Sequence, residues 1–187
     1  MRSRAKSLAA MLGLAFLLPA CASRYYIHDE TPSKAKNPTA YQSFYVSWLD
    51  LKEADWEKFG YGSQDEWAKV IQDENINGLQ AYMKEVFPDK TLHFAGPGDE
   101  SFPTQGDLYI KLDVEQIAKK WNSVTGGFDE IWVRVRLFDV ASKEELYFGR
   151  INTTSVGVGP QGLTFEGRLG FAIYNLCCFI YDKLHPE

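Results

Sequence analysis

Two stretches of strict apolar and polar alternation dominate the chain. In residues 107–117, Leu108, Ile110, Leu112 and Val114 share one side of an extended segment, and in residues 130–140 Ile131, Val133, Val135 and Leu137 do the same. Gly126-Gly127 lies between them as a turn signal, so the pattern predicts an antiparallel hairpin. Residues 43–51 and 146–156 are further strand-forming runs, and residues 91–95 are a short one. Helical period replaces alternation in two places. Ser63 followed by Glu66 has the form of a capping box, and Trp67, Val70, Ile71, Leu79, Tyr82, Met83 and Val86 then recur at three- and four-residue steps as far as Pro88. The centre of that helix, Asn75-Ile76-Asn77-Gly78, is weak, because glycine alone costs about 1 kcal/mol against alanine. A kink or a break is expected there. Phe165, Leu169, Ile173, Leu176, Cys177, Ile180 and Leu184 form the stripe of a last helix over residues 163–184, closed by Pro186. The pattern predicts one α+β domain over residues 43–187: a mostly antiparallel sheet of about four to five strands with two helices packed on one face.

The flanking stretch 24–42 holds two prolines and alternating charges without an apolar period, which predicts an extended tether. Tyr25 and Tyr26 within it suit the headgroup level of a bilayer. Residues 1–20 differ in kind. Arg2, Arg4 and Lys6 form a basic head, an apolar run of about a dozen residues follows, and small residues close it, the three-part pattern of an export signal. The run is too short to cross a bilayer, which takes roughly 20 helical residues.

Composition narrows the partners. Hydrophobic residues at 45% and charged residues at 24% are those of an ordinary globular domain. Removing residues 1–20, which carry three basic residues and no acidic ones, shifts the net charge from −5 to about −8. An acidic body of this kind argues against nucleic acid as the main partner, since the phosphate backbone demands basic patches. Cys21, Cys177 and Cys178 are the only cysteines. Neighbouring residues on a helix point about 100° apart, so Cys177 and Cys178 do not bridge each other; they are small core residues, or serve an intermolecular or redox role.

Candidate chemistry is sparse. Away from the apolar side, the hairpin would present Tyr109, Lys111, Asp113 and Glu115 on one strand and Trp132, Arg134, Arg136 and Phe138 on the other. Two readings stand. Such a face is a solvated sheet surface with cross-strand ion pairs, or a docking patch built on Trp132, Arg134, Arg136 and Phe138, since aromatics and arginine are enriched at interfaces. Asp50, Glu53 and Asp55 cluster beside the aromatic loop of Trp56, Phe59 and Tyr61. That cluster is a solvated loop, or a site for a cation, a small ligand or hydrolytic chemistry. Gly157-Val158-Gly159-Pro160-Gln161-Gly162 spells a dinucleotide fingerprint but fails as one. Asp182, at the right distance, falls inside the last helix where a second parallel strand is required, and Pro160 removes an N–H the pyrophosphate would use. His28, His93 and His185 have no neighbours at metal-ligand spacing, and no nucleophile elbow, P-loop or HExxH motif is present. No cofactor, metal or nucleotide is expected. Asn152-Thr153-Thr154 matches a glycosylation sequon.

Leu18-Pro19-Ala20-Cys21 resembles the lipobox of bacterial lipoproteins. That resemblance implies cleavage before Cys21, acylation of its thiol and a lipid-anchored chain in the cell envelope. Two or three acyl chains hold far more firmly than one. Ala22 and Ser23 stand where an aspartate resembles an inner-membrane retention signal, which implies the outer membrane, facing the periplasm. Gly106-Asp107-Leu108-Tyr109-Ile110-Lys111-Leu112 and Trp132-Val133-Arg134-Val135-Arg136-Leu137-Phe138-Asp139 resemble the strands and turns of the small α/β domain of periplasmic assembly lipoproteins: the penicillin-binding-protein activator, curli-secretion and exopolysaccharide-export lipoproteins and the amino-terminal domain of the Tol-system propeller protein. The resemblance spans residues 43–184. It implies a non-enzymatic module that binds a protein or polymer partner or assists assembly. The alternative is a lipid-anchored hydrolase or small-ligand-binding protein using residues 50–61.

Overall fold

The computed structural model describes residues 25–34, 38–51, 56–118, 129–154 and 164–185. Six strands and three helices carry the fold: β1 (Tyr25–Glu30), β2 (Ser43–Val46), α1 (Gln64–Asp73), α2 (Gln80–Val86), β3 (Thr91–Phe94), β4 (Leu108–Ala118), β5 (Glu130–Asp139), β6 (Glu145–Thr154) and α3 (Phe165–Leu184). The strands form one sheet in the order β1-β6-β5-β4-β2-β3. Pairing is antiparallel from β1 to β4, then parallel from β4 to β2 and from β2 to β3. The expected α+β class holds, while the sheet is larger than the expected four to five strands and carries two parallel pairings.

The sixth strand lies where the sequence predicts a tether. Tyr25–Glu30 pairs along the edge of β6, and all its residues after Tyr25 are exposed. An edge strand held by backbone bonds needs no apolar alternation, so the hydrophobic pattern does not mark it. Two anchors fix it to the helix layer. The Tyr25 ring meets Phe179 edge-on at 5.0 Å and its hydroxyl donates to Asp182 at 2.7 Å, while Glu30 accepts from Lys183 at 2.7 Å and from Tyr147 at 2.9 Å. The Lys183 bond holds the Glu30 carboxyl below its ordinary value.

β4 and β5 form the expected hairpin, with Ile110 opposite Leu137, Leu112 opposite Val135 and Val114 opposite Val133. This apolar side meets the helices. Phe44, Val46, Ile110, Val133, Val135 and Ile151 are buried against Leu79, Met83, Leu169, Ile173, Leu176 and Ile180. Cys177 and Cys178 are buried there too, and burial pushes the Cys177 thiol well up, leaving it inert. The turn at Gly126-Gly127 and the glycine-rich run 157–162 lie outside the described residues.

The weak centre of the first long helix departs from α-helical geometry. Glu74–Leu79 forms a π-helical turn joining α1 to α2. Its Asn75 is 1% exposed and reaches out of the helix: Oδ1 accepts from the Leu49 N–H at 2.8 Å, and Nδ2 donates to the carbonyls of Leu49 and Ile71, both at 2.9 Å. These bonds draw the chain after Val46 down into the helix layer, which is why β2 stops short of the predicted residue 51. At the start of α1, Ser63 Oγ accepts from the Glu66 N–H at 3.2 Å, and the Glu66 carboxylate accepts from Gly62, one residue earlier than a capping box requires. Thr164 caps α3, accepting from the Gly167 N–H at 3.1 Å. Among the described residues no helix is long and apolar enough to cross a membrane.

Candidate functional site

All three helices pack on one side of the sheet. The opposite side, among the described residues, is covered only at one end, where Phe102 from the loop after β3 meets Tyr109 and Phe138 edge-on at 5.3 and 5.8 Å. Tyr109 and Phe138 face each other across β4 and β5 at 5.9 Å, and Tyr45 of β2 extends the aromatic row. Burial pushes the Tyr109 hydroxyl up to about 12.

The structure brings together all four residues that the sequence proposes for this face. Their ion pairs follow a diagonal rather than the direct pairing. Asp113 stands opposite Arg134 but pairs with Arg136, whose guanidinium also lies 5.9 Å from the Phe138 ring. Glu115 instead takes Arg134, Nε to Oε1 at 2.8 Å, and Arg150 of β6, Nε to Oε2 at 2.7 Å. A bulge between Val114 and Gln116 shifts the register at Glu115, the carboxylate that both arginines share. Trp132 is stacked on by His28 of β1, ring centroids 4.3 Å apart, with the Arg150 guanidinium 5.1 Å from its ring. His28 Nε2 lies 2.7 Å from Asn152 Oδ1. The strand that the pattern misses therefore supplies one wall of the patch. Arg134 and Arg150 remain 49% and 43% exposed, so their pairing leaves donors facing solvent.

The second candidate cluster does not assemble as one site. Glu53 and Asp55 lie outside the described residues. Asp50 lines a groove of about 470 Å³ on the sheet side, with Ser47, Trp48, Asp99, Glu100 and Val114. Tyr61 lines a different groove of about 840 Å³ on the helix side, between the π-turn and the start of α3. The other loop aromatics are spent on packing: Phe59 lies 5.6 Å from Trp67 and 4.4 Å from Phe165.

That larger groove holds a group the sequence does not single out. The Glu74 carboxyl sits beside Gly78 and near Gly170, where a Cβ would stand 3.0 and 3.8 Å from its Oε2. Burial first, then the negative charges of Glu166 and Asp73, raise it to about 7. Glu166 accepts from the Tyr61 hydroxyl at 2.6 Å, and burial together with that bond holds the Tyr61 proton in place. A carboxyl raised in this way can hold and release a proton near neutrality. The only sequence signal was the run of poor helix formers after Glu74.

The linkage sets a testable pH dependence. The folded chain takes up a proton at Glu74 that the unfolded chain, with the ordinary value of 4.5, has already lost. The resulting stabilisation is complete below about pH 4.5 and is lost as pH rises through about 7. Glu74→Gln is therefore expected to exceed the wild type by roughly 2 kcal/mol at pH 8, allowing for partial exposure, and to match it at about pH 4. Urea denaturation at the two pH values checks this; an equal difference at both would place the effect elsewhere.

Among the described residues no group of three or more His, Cys, Asp or Glu could hold a metal ion. No protein-family model matches the chain, and no curated protein matches it. Solved structures similar to it include a PelC dodecamer from Paraburkholderia phytofirmans, with 11% identity over 82% of this chain and 94% of that one at a TM-score of 0.45. Protein XCC0632 from Xanthomonas campestris, of family DUF330, is similar at 8% identity over 84% of this chain and 91% of that one, with a TM-score of 0.40.

Proposed function

We propose that the chain is a lipid-anchored module of the bacterial cell envelope, acylated at Cys21 and held at the periplasmic side of the outer membrane, that binds a protein or polymer partner without catalysing a reaction. The basic head, the short apolar run and Leu18-Pro19-Ala20-Cys21 support the anchor. One observation carries the binding role: one face of a six-stranded sheet has no helix over it among the described residues, and it holds half-exposed arginines beside aromatic rings. β1 starts four residues after Cys21, a span of at most about 14 Å when fully extended. An anchored domain would then stand close against the bilayer instead of ranging from a long tether.

Replacing Trp132 and Arg136 together by alanine is expected to cut recovery of the partner by at least tenfold in a crosslinking pull-down from envelope fractions, with the helix-side core untouched. Undiminished recovery would remove this face from the account. A second reading is favoured by Glu74 and Glu166 in the larger groove: an anchored hydrolase or small-ligand-binding protein using that carboxyl pair and Tyr61. It inherits the chemistry expected of residues 50–61, moved to the helix side, where Tyr61 points.

A further inference from the structure

We propose that the edge of β4 beyond the end of β2, which has no partner strand among the described residues, receives an extended, basic peptide segment as an added strand. This rests on the reading of the chain as a partner-binding module and names the partner's chemistry and mode of binding. β2 pairs with β4 only as far as Val46 opposite Ile110, whereas β4 runs on to Ala118. The last links between the two are the Ser47 N–H donating to the Ile110 carbonyl at 2.9 Å and the Leu112 N–H donating to Ser47 Oγ at 2.8 Å. Residues 110 and 112 thus turn their peptide groups to this side, and by the two-residue period of a strand Val114 does so as well. Among the described residues no group pairs with the outward N–H and C=O of Val114.

The edge from Leu112 to Ala118 is about 20 Å long, and its first part forms a wall of the 470 Å³ groove. Unpaired strand edges recruit extended peptides through main-chain hydrogen bonds, and the flanking side chains select which peptide enters. Here the flanking groups are acidic. Among the described residues, Asp50, Asp99, Glu100 and Asp113 line the groove together with one cation, Lys111. Asp113 is neutralised by Arg136 and Lys111, but Asp99 accepts from Ser101 and from the Tyr45 hydroxyl, bonds that hold its carboxyl below the ordinary value and keep it charged. Trp48 and Tyr109 add apolar walls for the aliphatic stems of lysine or arginine. The groove therefore fits a strand bearing basic side chains at alternate positions.

The test uses an acetylated hexapeptide alternating lysine with valine, a copy with glutamate in place of lysine, and a copy of the lysine peptide with alternate amides N-methylated. Amide exchange is followed by NMR on the full domain. The lysine peptide is expected to slow exchange of the Val114 amide at least tenfold, the glutamate and N-methylated peptides to leave it unchanged, and Glu100→Lys to weaken the lysine peptide by about threefold. Unchanged exchange at Val114 with the lysine peptide at millimolar concentration, or equal protection by the N-methylated copy, would overturn the inference. The Trp132 and Arg136 pull-down is read separately: if it loses the partner while Val114 stays unprotected, the open face stands and the edge fails. If Val114 is protected while the pull-down is undiminished, the edge stands and the face fails.

Discussion

Arg168→Ala is expected to destabilise the domain by about 3–5 kcal/mol. Arg168 lies in the first turn of α3, and its Nε meets Asp129 Oδ2 at 2.7 Å just before β5 begins. Both side chains are almost fully buried, 5% and 4% exposed. A buried pair adds little net stability, because desolvation offsets its attraction, but removing one partner takes the counter-charge from the other while leaving it buried. The leucine and methionine exchange at both positions, Asp129→Leu with Arg168→Met, should therefore recover most of the loss. Urea denaturation of the wild type and the two variants checks the pattern. A double variant as unstable as Arg168→Ala would mean that packing, not the stranded carboxylate, sets the cost.

Asn75→Ala is expected to cost about 3 kcal/mol, again with a cause that can be separated. The side chain satisfies both the N–H and the C=O of Leu49, and alanine would leave these two backbone groups bare in a dry layer beside Trp67 and Ile71. Asn75→Asp keeps the acceptor for the Leu49 N–H but loses both donated bonds and buries a charge, so it should fall at least as far. Amide exchange at Leu49 should accelerate in both variants by more than global unfolding explains. Unaltered exchange there would show that Asn75 does not hold the loop.

The hairpin and the two helical stripes were legible in the sequence because each reports on burial, and burial imposes a period; the N-cap serine was legible because a helix start leaves N–H groups for a hydroxyl to accept from. The elements that escaped obey other physics. Tyr25–Glu30 joins the sheet through its backbone, with its side chains mostly in solvent, so no apolar pattern betrays it. The π-turn was visible only as a run of poor helix formers; that Asn75 should leave the helix to bind Leu49 depends on a contact across 26 residues. The same limit applies to the site. Trp132, Arg134, Arg136 and Phe138 stand on one face as alternation requires, yet the diagonal choice of Asp113 by Arg136 and the bulge at Glu115 are not marked by any apolar pattern. His28 and Arg150, which enclose Trp132, come from strands far away in the chain. Glu74 draws its character from Glu166, 92 residues on, and from glycines that admit α3 close to the π-turn.

The central claim is that this domain works while tied to a membrane through Cys21, with its open sheet face free for a partner. Metabolic labelling with a palmitate analogue in a bacterial host tests it most directly. The account predicts label on the wild-type chain and none on Cys21→Ser. Label retained at the wild-type level by Cys21→Ser, or absent from both chains, would contradict it.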